Sequence, residues 1–190
     1  MAATDTPLSL LDRLQGHEKE EAWTQFRTLY DPLIRRWVGR LVSRADSVDD
    51  ITQEVLKALV EGLPSFRHNL RKGAFRAWLR SITIHRVRRH WRDQRPTVKQ
   101  LSDATDLEDP RSELSRLWDS EHDRHVVRTL LEKVRPEFDD KTWDIFRRLV
   151  FGGSSPREVA TDLNCSLNVV YMAKSLVLKR LRLEAEGLIE

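Results

Sequence analysis

Ser155-Pro156-Arg157-Glu158-Val159-Ala160-Thr161-Asp162-Leu163-Asn164-Cys165-Ser166 reads as a short helix followed by a tight turn. Ser155 with Glu158 forms a capping box, and Pro156 takes the first helical position, where its missing N–H costs nothing. Val159, Ala160 and Leu163 make a short apolar face, with Ala160 small where a second helix must cross closely. Asn164 stands where the turn needs a left-handed residue, a place for glycine first and asparagine next. Cys165 then points inward as a small hydrophobe. Ser166 caps a second helix with Val170 and Ala173 inside. Short helix, three-residue turn and longer helix are the outline of a DNA-binding helix-turn-helix, extending to Leu183. Asn168, Tyr171, Met172, Lys174 and Ser175 fall on or beside its groove-facing side, while Lys179, Arg180 and Arg182 either hold phosphates or are simply solvated.

Outward from this segment, helical periodicity accounts for most of the 190 residues. A first helical block is expected from Leu8 to Val42, broken near Gly16-His17, with Pro32 kinking it or marking a helix start. Trp23, Phe26, Leu29, Tyr30, Leu33, Ile34, Trp37, Val38 and Leu41 form its core stripe. Ser47 reads as the N-cap of the next helix, with Asp49 and Asp50 in its first turn. Val48, Ile51, Val55, Leu59 and Leu63 are its buried side, and Gly62 and Pro64 end it. A loop to Gly73 leads to a helix over Ala74–Gln94 with Phe75, Trp78, Leu79 and Ile82 inside. Between Pro96 and Ser120 the periodicity fades. There Ser102 to Asp123 carries eight acids against two bases, an acidic linker of net charge −6. The pattern resumes at Val126 and runs on to Val150, before Gly152-Gly153 breaks the chain. The fold class expected is all-α: two helical domains joined by an acidic linker, the C-terminal one a helix-turn-helix.

The charge distribution is more informative than its total of +3. Phe66 to Arg95 holds ten Lys or Arg residues and a single acid, Asp93, for a net charge of +9. Arg76, Arg80, Arg88 and Arg92 share one i+4 row, interrupted by Ile84, and are expected to form a continuous positive ridge. One sign alone on a helix repels itself unless an anion neutralises it, and phosphates match the planar fork of arginine. Phe66, Trp78, His85, His90 and Trp91 are interleaved with these cations. Burial is the expectation for Trp78; for Phe66 and Trp91, burial and base stacking weigh evenly.

Other chemistries find little support. Cys165 is the only cysteine, so neither an internal disulfide nor a Cys-rich metal site can form, and a reducing, cytoplasmic setting is expected. No run of about 18 apolar residues is present and Met1–Pro7 is no signal peptide, so no membrane insertion is expected. His85 and His90 face different sides of a helix and do not suggest a metal site. A helical phosphohydrolase using Asp46, Asp49, Asp50 and Glu54 lacks a histidine to complete its ligand set. No catalytic residues, metal or cofactor are expected, and the chain is not read as an enzyme.

Taken in order, these blocks resemble the extracytoplasmic-function sigma factors of the sigma-70 family. Phe26-Arg27-Thr28-Leu29-Tyr30 with Pro32-Leu33 resembles their first region. Asp49-Asp50-Ile51-Thr52-Gln53-Glu54-Val55 resembles the core of their polymerase-binding helix, and Phe75-Arg76-Ala77-Trp78-Leu79-Arg80-Ser81-Ile82 their promoter-melting helix. The helix-turn-helix resembles their −35-reading domain. The resemblance implies a region 2 domain over residues 1–95, the acidic linker over 96–120 and a region 4 domain over 121–190. Asp50, Gln53, Glu54 and Lys57 would dock on the beta-prime clamp of core RNA polymerase. Phe66, Arg67, His68, Asn69, Lys72, Arg76, Arg80, His85, Arg88, Arg89 and Arg92 would take the melted −10 element of promoter DNA. Arg157, Ser166, Asn168, Tyr171, Met172, Lys174, Ser175 and Lys179 would take the −35 duplex, with the same domain packing on the beta flap. The linker would follow the RNA exit path, and an anti-sigma factor or other regulator is implied. His85 departs from the Asn usual in the family, and Leu176 from an Arg frequent in one subgroup. The rival reading is a stand-alone helix-turn-helix transcriptional regulator with a partner- or ligand-binding N-terminal domain, which leaves the +9 segment without a role.

Overall fold

The structure, a computed structural model, describes residues 10–15, 19–42, 44–66, 73–92, 96–186 and 188–189. Among these residues the elements are helices, with no strand. The chain divides into two compact units, one within Leu8–Val126 and one within Val127–Ala185.

The first unit holds α1 (Leu10–Gln15), α2 (Lys19–Leu41), α3 (Ala45–Gly62), a 3-10 turn (Leu63–Ser65), α4 (Ala74–Trp91), α5 (Val98–Glu108) and the first part of α6 (Glu113–Val134). α2 supplies its spine, because Phe26, Tyr30, Leu33, Ile34, Trp37 and Val38 recur at helical spacing and are completely buried. Phe26 and Tyr30 meet at 4.6 Å, and each meets Phe75 of α4, at 6.1 and 5.4 Å. Pro32 neither ends nor starts a helix: α2 runs through it. It sits on the exposed side, where water can serve the carbonyl that its ring leaves without a donor. α3 begins at Ala45, two residues ahead of the expected cap; Arg44 is its extended N-cap residue, with no side-chain cap. Ser47 therefore lies within the first turn and is buried.

The acidic stretch differs from the periodicity expected of it, since it is helical and packed. Thr97 and Gln100 form a capping box that starts α5, and the Gln100 amide donates to the Leu41 carbonyl at 3.1 Å. Ala104 and Leu107 are buried while the acids around them face out. In α6, Ser115, Trp118, His122 and Val126 form the buried row. Two polar members of that row, Ser115 and His122, hide its apolar period in the sequence. The Ser115 hydroxyl donates to the Leu107 carbonyl at 3.3 Å. Trp118 meets Trp37 at 5.0 Å, and Arg40 lies over the Trp37 ring while pairing with Glu121 at 2.8 Å. His125 Nε2 reaches the Leu29 carbonyl at 2.6 Å.

His122 sits between Tyr30 and Asp123, with Nε2 3.4 Å from the Tyr30 hydroxyl and Nδ1 3.0 Å from Asp123 Oδ1. A neutral ring fits both contacts: Nδ1–H donates to the carboxylate and Nε2 accepts from the phenol. Burial pushes the His122 imidazole below its ordinary value despite the Asp123 carboxylate. Burial likewise pushes the Tyr30 phenol up, and the Asp123 charge adds to it.

The second unit holds the rest of α6, a 3-10 turn (Arg135–Glu137), α7 (Asp140–Val150), α8 (Pro156–Asp162) and α9 (Leu167–Ala185). Its core joins Ile145, Val159, Val170 and Ala173, with Leu149, Ala160, Leu163 and Cys165 packed against them. The Ser155–Glu158 capping box forms in both directions, with the Ser155 N–H donating to Glu158 at 2.7 Å. Asn164 adopts φ of 45°, the left-handed turn conformation. The Val169 N–H donates to the Ser166 hydroxyl at 3.4 Å, a cap on α9. Arg180 is neither solvated nor set aside for phosphate, because it makes a two-point pair with Glu137 at 2.7 and 2.9 Å and a third contact with Glu184. Burial works against the Glu184 charge, but Lys133 and Arg180 hold its carboxyl below the ordinary range.

Two stability measurements follow from these contacts. Asn164→Gly is expected to leave the unfolding midpoint unchanged within error, whereas Asn164→Ala loses about 1 kcal/mol, the cost of a Cβ in the left-handed region; denaturant titration of both variants checks this. Because folded His122 resists protonation, the unfolded state gains its proton first as pH falls through about 6.5. Stability therefore drops on going from about pH 7.5 to 5.5, and His122→Gln is less stable at the upper pH but has a shallower slope over that interval.

Candidate nucleic-acid and partner interfaces

α3 is amphipathic by the period of its sequence. Ile51, Thr52, Val55, Leu56 and Leu59 turn inward, which leaves Asp50, Gln53, Glu54 and Lys57 together on the exposed side. Spacings of three and four residues put these polar groups on one continuous face. Lys57 lies 4.0 Å from Glu61 in a highly exposed pair. Asp49 is turned elsewhere and pairs with Arg35, which also reaches Asp31 at 3.4 Å.

α4 corrects the expected ridge. Phe75, Leu79, Arg80, Thr83, Ile84, Val87 and Trp91 are its buried residues. The row through Arg76, Arg80, Ile84 and Arg88 thus borders the interior rather than solvent, as the apolar Ile84 within it signals. Its cations are neutralised by the protein's own acids. Arg76 pairs with Asp123 at 2.7 Å and Asp119 at 3.5 Å, and Arg80 with Asp119 at 3.1 Å. Arg88 pairs with Glu108 at 2.7 Å. Burial lowers the proton affinity of Arg80 and Asp119 opposes it. Burial also opposes the Asp123 charge, yet His122 and Arg76 together hold that carboxyl below its ordinary range.

A different row faces out. Ala77, Ser81, His85, Arg89 and Arg92 are exposed at successive steps of four, four, four and three residues. Beside them lies an open groove of about 700 Å³, walled by Ala58 and Gly62 of α3 and by Trp78, Ser81, Ile82, His85, Arg86, Arg88, Arg89 and Arg92 of α4. Trp78, expected to be buried, is half-exposed and forms part of this wall. It stacks on Phe66 at 4.8 Å with 29° between the rings. Gly62 admits the indole, since a Cβ at Gly62 would stand 2.9 Å from Trp78 Cζ2. Trp91 is buried in the core instead. Of the wall, Ala58, Gly62, Trp78, Ser81, Ile82 and Arg86 are not among the candidate residues read from the sequence, although the step of four from Ala77 to His85 passes through Ser81. Arg67, His68, Asn69 and Lys72 lie outside the described residues. Gly73, at φ of 71°, ends that interval and leads into α4.

On α9 the inward positions are Val170, Ala173 and Val177. Asn168, Tyr171, Met172, Lys174, Ser175 and Lys179 are all exposed, as are Arg157 and Ser166. Tyr171 and Met172 remain 55% and 62% accessible, too open for core residues, and Leu176 beside them 54%. The outer side of α9 is therefore an unpartnered mixed surface of aromatic, thioether, amide and ammonium groups.

Among the described residues no cluster of three His, Cys, Asp or Glu side chains can hold a metal ion. No described helix is long and apolar enough to cross a membrane. Comparison with curated proteins gives no match. Residues 26–97, which carry most of α2, all of α3 and α4 and the groove between the last two, match the family model Sigma-70 region 2.

Proposed function

We propose that the protein is a sigma factor of the extracytoplasmic-function kind, acting in the cytoplasm to direct RNA polymerase core to promoters. The observation that carries this reading is the groove on α4. It lies wholly within the segment matching Sigma-70 region 2 and combines an aromatic wall, Trp78 on Phe66, with the cations Arg86, Arg89 and Arg92. An aromatic platform beside arginines suits unpaired bases and their phosphates. In this reading Trp78, Ser81, His85 and Arg89 contact the melted −10 strand, helped by Phe66 and by Arg67, His68, Asn69 and Lys72 of the preceding segment. The exposed row Asp50, Gln53, Glu54 and Lys57 docks on the beta-prime clamp. Residues 1–95 act as region 2.

The C-terminal unit acts as region 4. Its capped α8, Asn164 turn and long α9 support a helix-turn-helix whose outer side enters the −35 major groove. Asn168, Tyr171, Met172, Lys174 and Ser175 meet base edges, while Arg157, Ser166 and Lys179 meet phosphates. The same unit packs on the beta flap, and the segment 96–120 connects the two regions. An anti-sigma factor or comparable regulator controls the free protein.

Run-off transcription with purified core polymerase and a promoter library tests this reading. New start sites are expected only when the protein is added. Sequence-specific duplex binding without core binding or new transcripts would instead favour a stand-alone helix-turn-helix regulator. On an active promoter, Trp78→Ala is expected to weaken open-complex formation by about 1–3 kcal/mol, the scale of one stacked base. Lys174→Ala is expected to lower transcription only from templates that retain the −35 element.

A further inference from the structure

Val169, Met172 and Leu176 recur on α9 at steps of three and four residues, so they form one stripe along the helix. All three are exposed, and the inward positions Val170, Ala173 and Val177 pack without them. Met172, 62% accessible, stands at the middle of this stripe. It also lies four residues after Asn168 and three before Ser175, within the row proposed to meet base edges. The sequence holds two methionines, Met1 and Met172, and one thiol, Cys165. Cys165 is half-buried and packs against the core of Ile145, Val159, Val170 and Ala173. Of the sulfurs among the described residues, the open one is therefore a thioether on the outer side of α9.

We propose that Met172 is an oxidation-sensitive site: a peroxide converts its thioether to the sulfoxide and thereby weakens the hold of α9 on duplex DNA. The inference rests on the reading of α9 as the −35-binding helix. In the reaction a sulfur lone pair attacks one peroxide oxygen. The S–O bond forms as the O–O bond breaks, and the other oxygen leaves as water after proton transfer. Sulfur loses two electrons and the peroxide gains them. A thioether needs no deprotonation for this step, whereas a thiol reacts through its thiolate. The sulfoxide is a polar side chain, and methionine sulfoxide reductases return it to the thioether. Its new oxygen accepts hydrogen bonds and donates none, so it gains nothing from phosphate oxygens or from the acceptor groups of base edges. It also interrupts the Val169–Met172–Leu176 stripe, whose apolar surface suits thymine methyl groups in the major groove. A leucine at this position would continue the stripe without reacting. The fold of α9 is indifferent to the change, because Met172 lies outside the core of its unit.

The test treats the full-length protein with hydrogen peroxide, removes the peroxide with catalase and then adds untreated core polymerase. Run-off transcription is compared on a template that retains the −35 element and on one that lacks it. Peptide mapping by mass spectrometry is expected to show one added oxygen on Met172. Transcription from the −35 template is expected to fall several-fold, and methionine sulfoxide reductase to reverse both changes. Met172→Leu, compared only with its own untreated sample, is expected to show no loss after peroxide. A loss that persists in Met172→Leu overturns the proposal, as does complete oxidation of Met172 with undiminished transcription from the −35 template. Peroxide that modifies Cys165 and leaves Met172 intact overturns it too. Lys174→Ala tests the underlying reading separately. If it lowers transcription only from the −35 template while oxidation of Met172 does not, the oxidation site is wrong and the reading of α9 stands. If Lys174→Ala lowers neither, the reading of α9 as a duplex-binding helix fails.

Discussion

The ion pairs that Arg76 and Arg80 make with Asp119 and Asp123 determine how the rest of the first unit is arranged. Two arginines on a helix that must also bury Phe75, Leu79, Ile84 and Val87 cannot both reach solvent, and an unpaired buried guanidinium is prohibitively costly. α6 resolves this conflict by bringing carboxylates to the same place on a helix anchored by Trp118 against Trp37. With that row committed inward, α4 has one outward direction left. Ser81, His85, Arg89 and Arg92 then face the groove together with Trp78. The inward charges thus select the outward face, which joins an aromatic ring to arginine side chains. The Arg76 and Arg80 side chains are 19% and 8% accessible, so these pairs fix the orientation of α4 and keep both cations away from solvent.

Much of this was legible in the sequence. The aromatic spine of α2 repeats at helical spacing without interruption, so its burial follows from periodicity alone. The Ser155–Glu158 box and the Asn164 turn are local signals, and the structure contains both. The failures were of one physical kind. Apolar periodicity cannot register a buried polar residue, and the buried rows of α4 and α6 include Arg80, Thr83, Ser115 and His122. Reading charge as exposure placed Arg76, Arg80 and Arg88 on a free ridge, and reading acidity as a linker concealed α5. Trp78 illustrates the converse error. It is apolar enough to seem a core residue, yet Gly62 and Phe66 hold it at the mouth of the groove.

The second unit shows a simpler logic. A small aliphatic core fixes α8 against α9, and buried Glu184 with Lys133, Arg180 and Glu137 ties the far end of α9. Tension between core and surface is absent here, because the exposed side of α9 carries none of the residues that the core needs. Tyr171 and Met172 stay open, and the aliphatic core of this unit closes without them. The second unit thus presents an exposed outer face on α9, and the first unit, by itself, an aromatic groove on α4.

The central claim is that internal carboxylates decide which cations of α4 face outward, and residue-resolved arginine modification of the free protein tests it most directly. With a dicarbonyl reagent and mass-spectrometric mapping, Arg89 and Arg92 should react readily while Arg76 and Arg80 remain protected until the protein is unfolded. Equal reactivity of Arg76, Arg80, Arg89 and Arg92 in the folded protein would contradict the account.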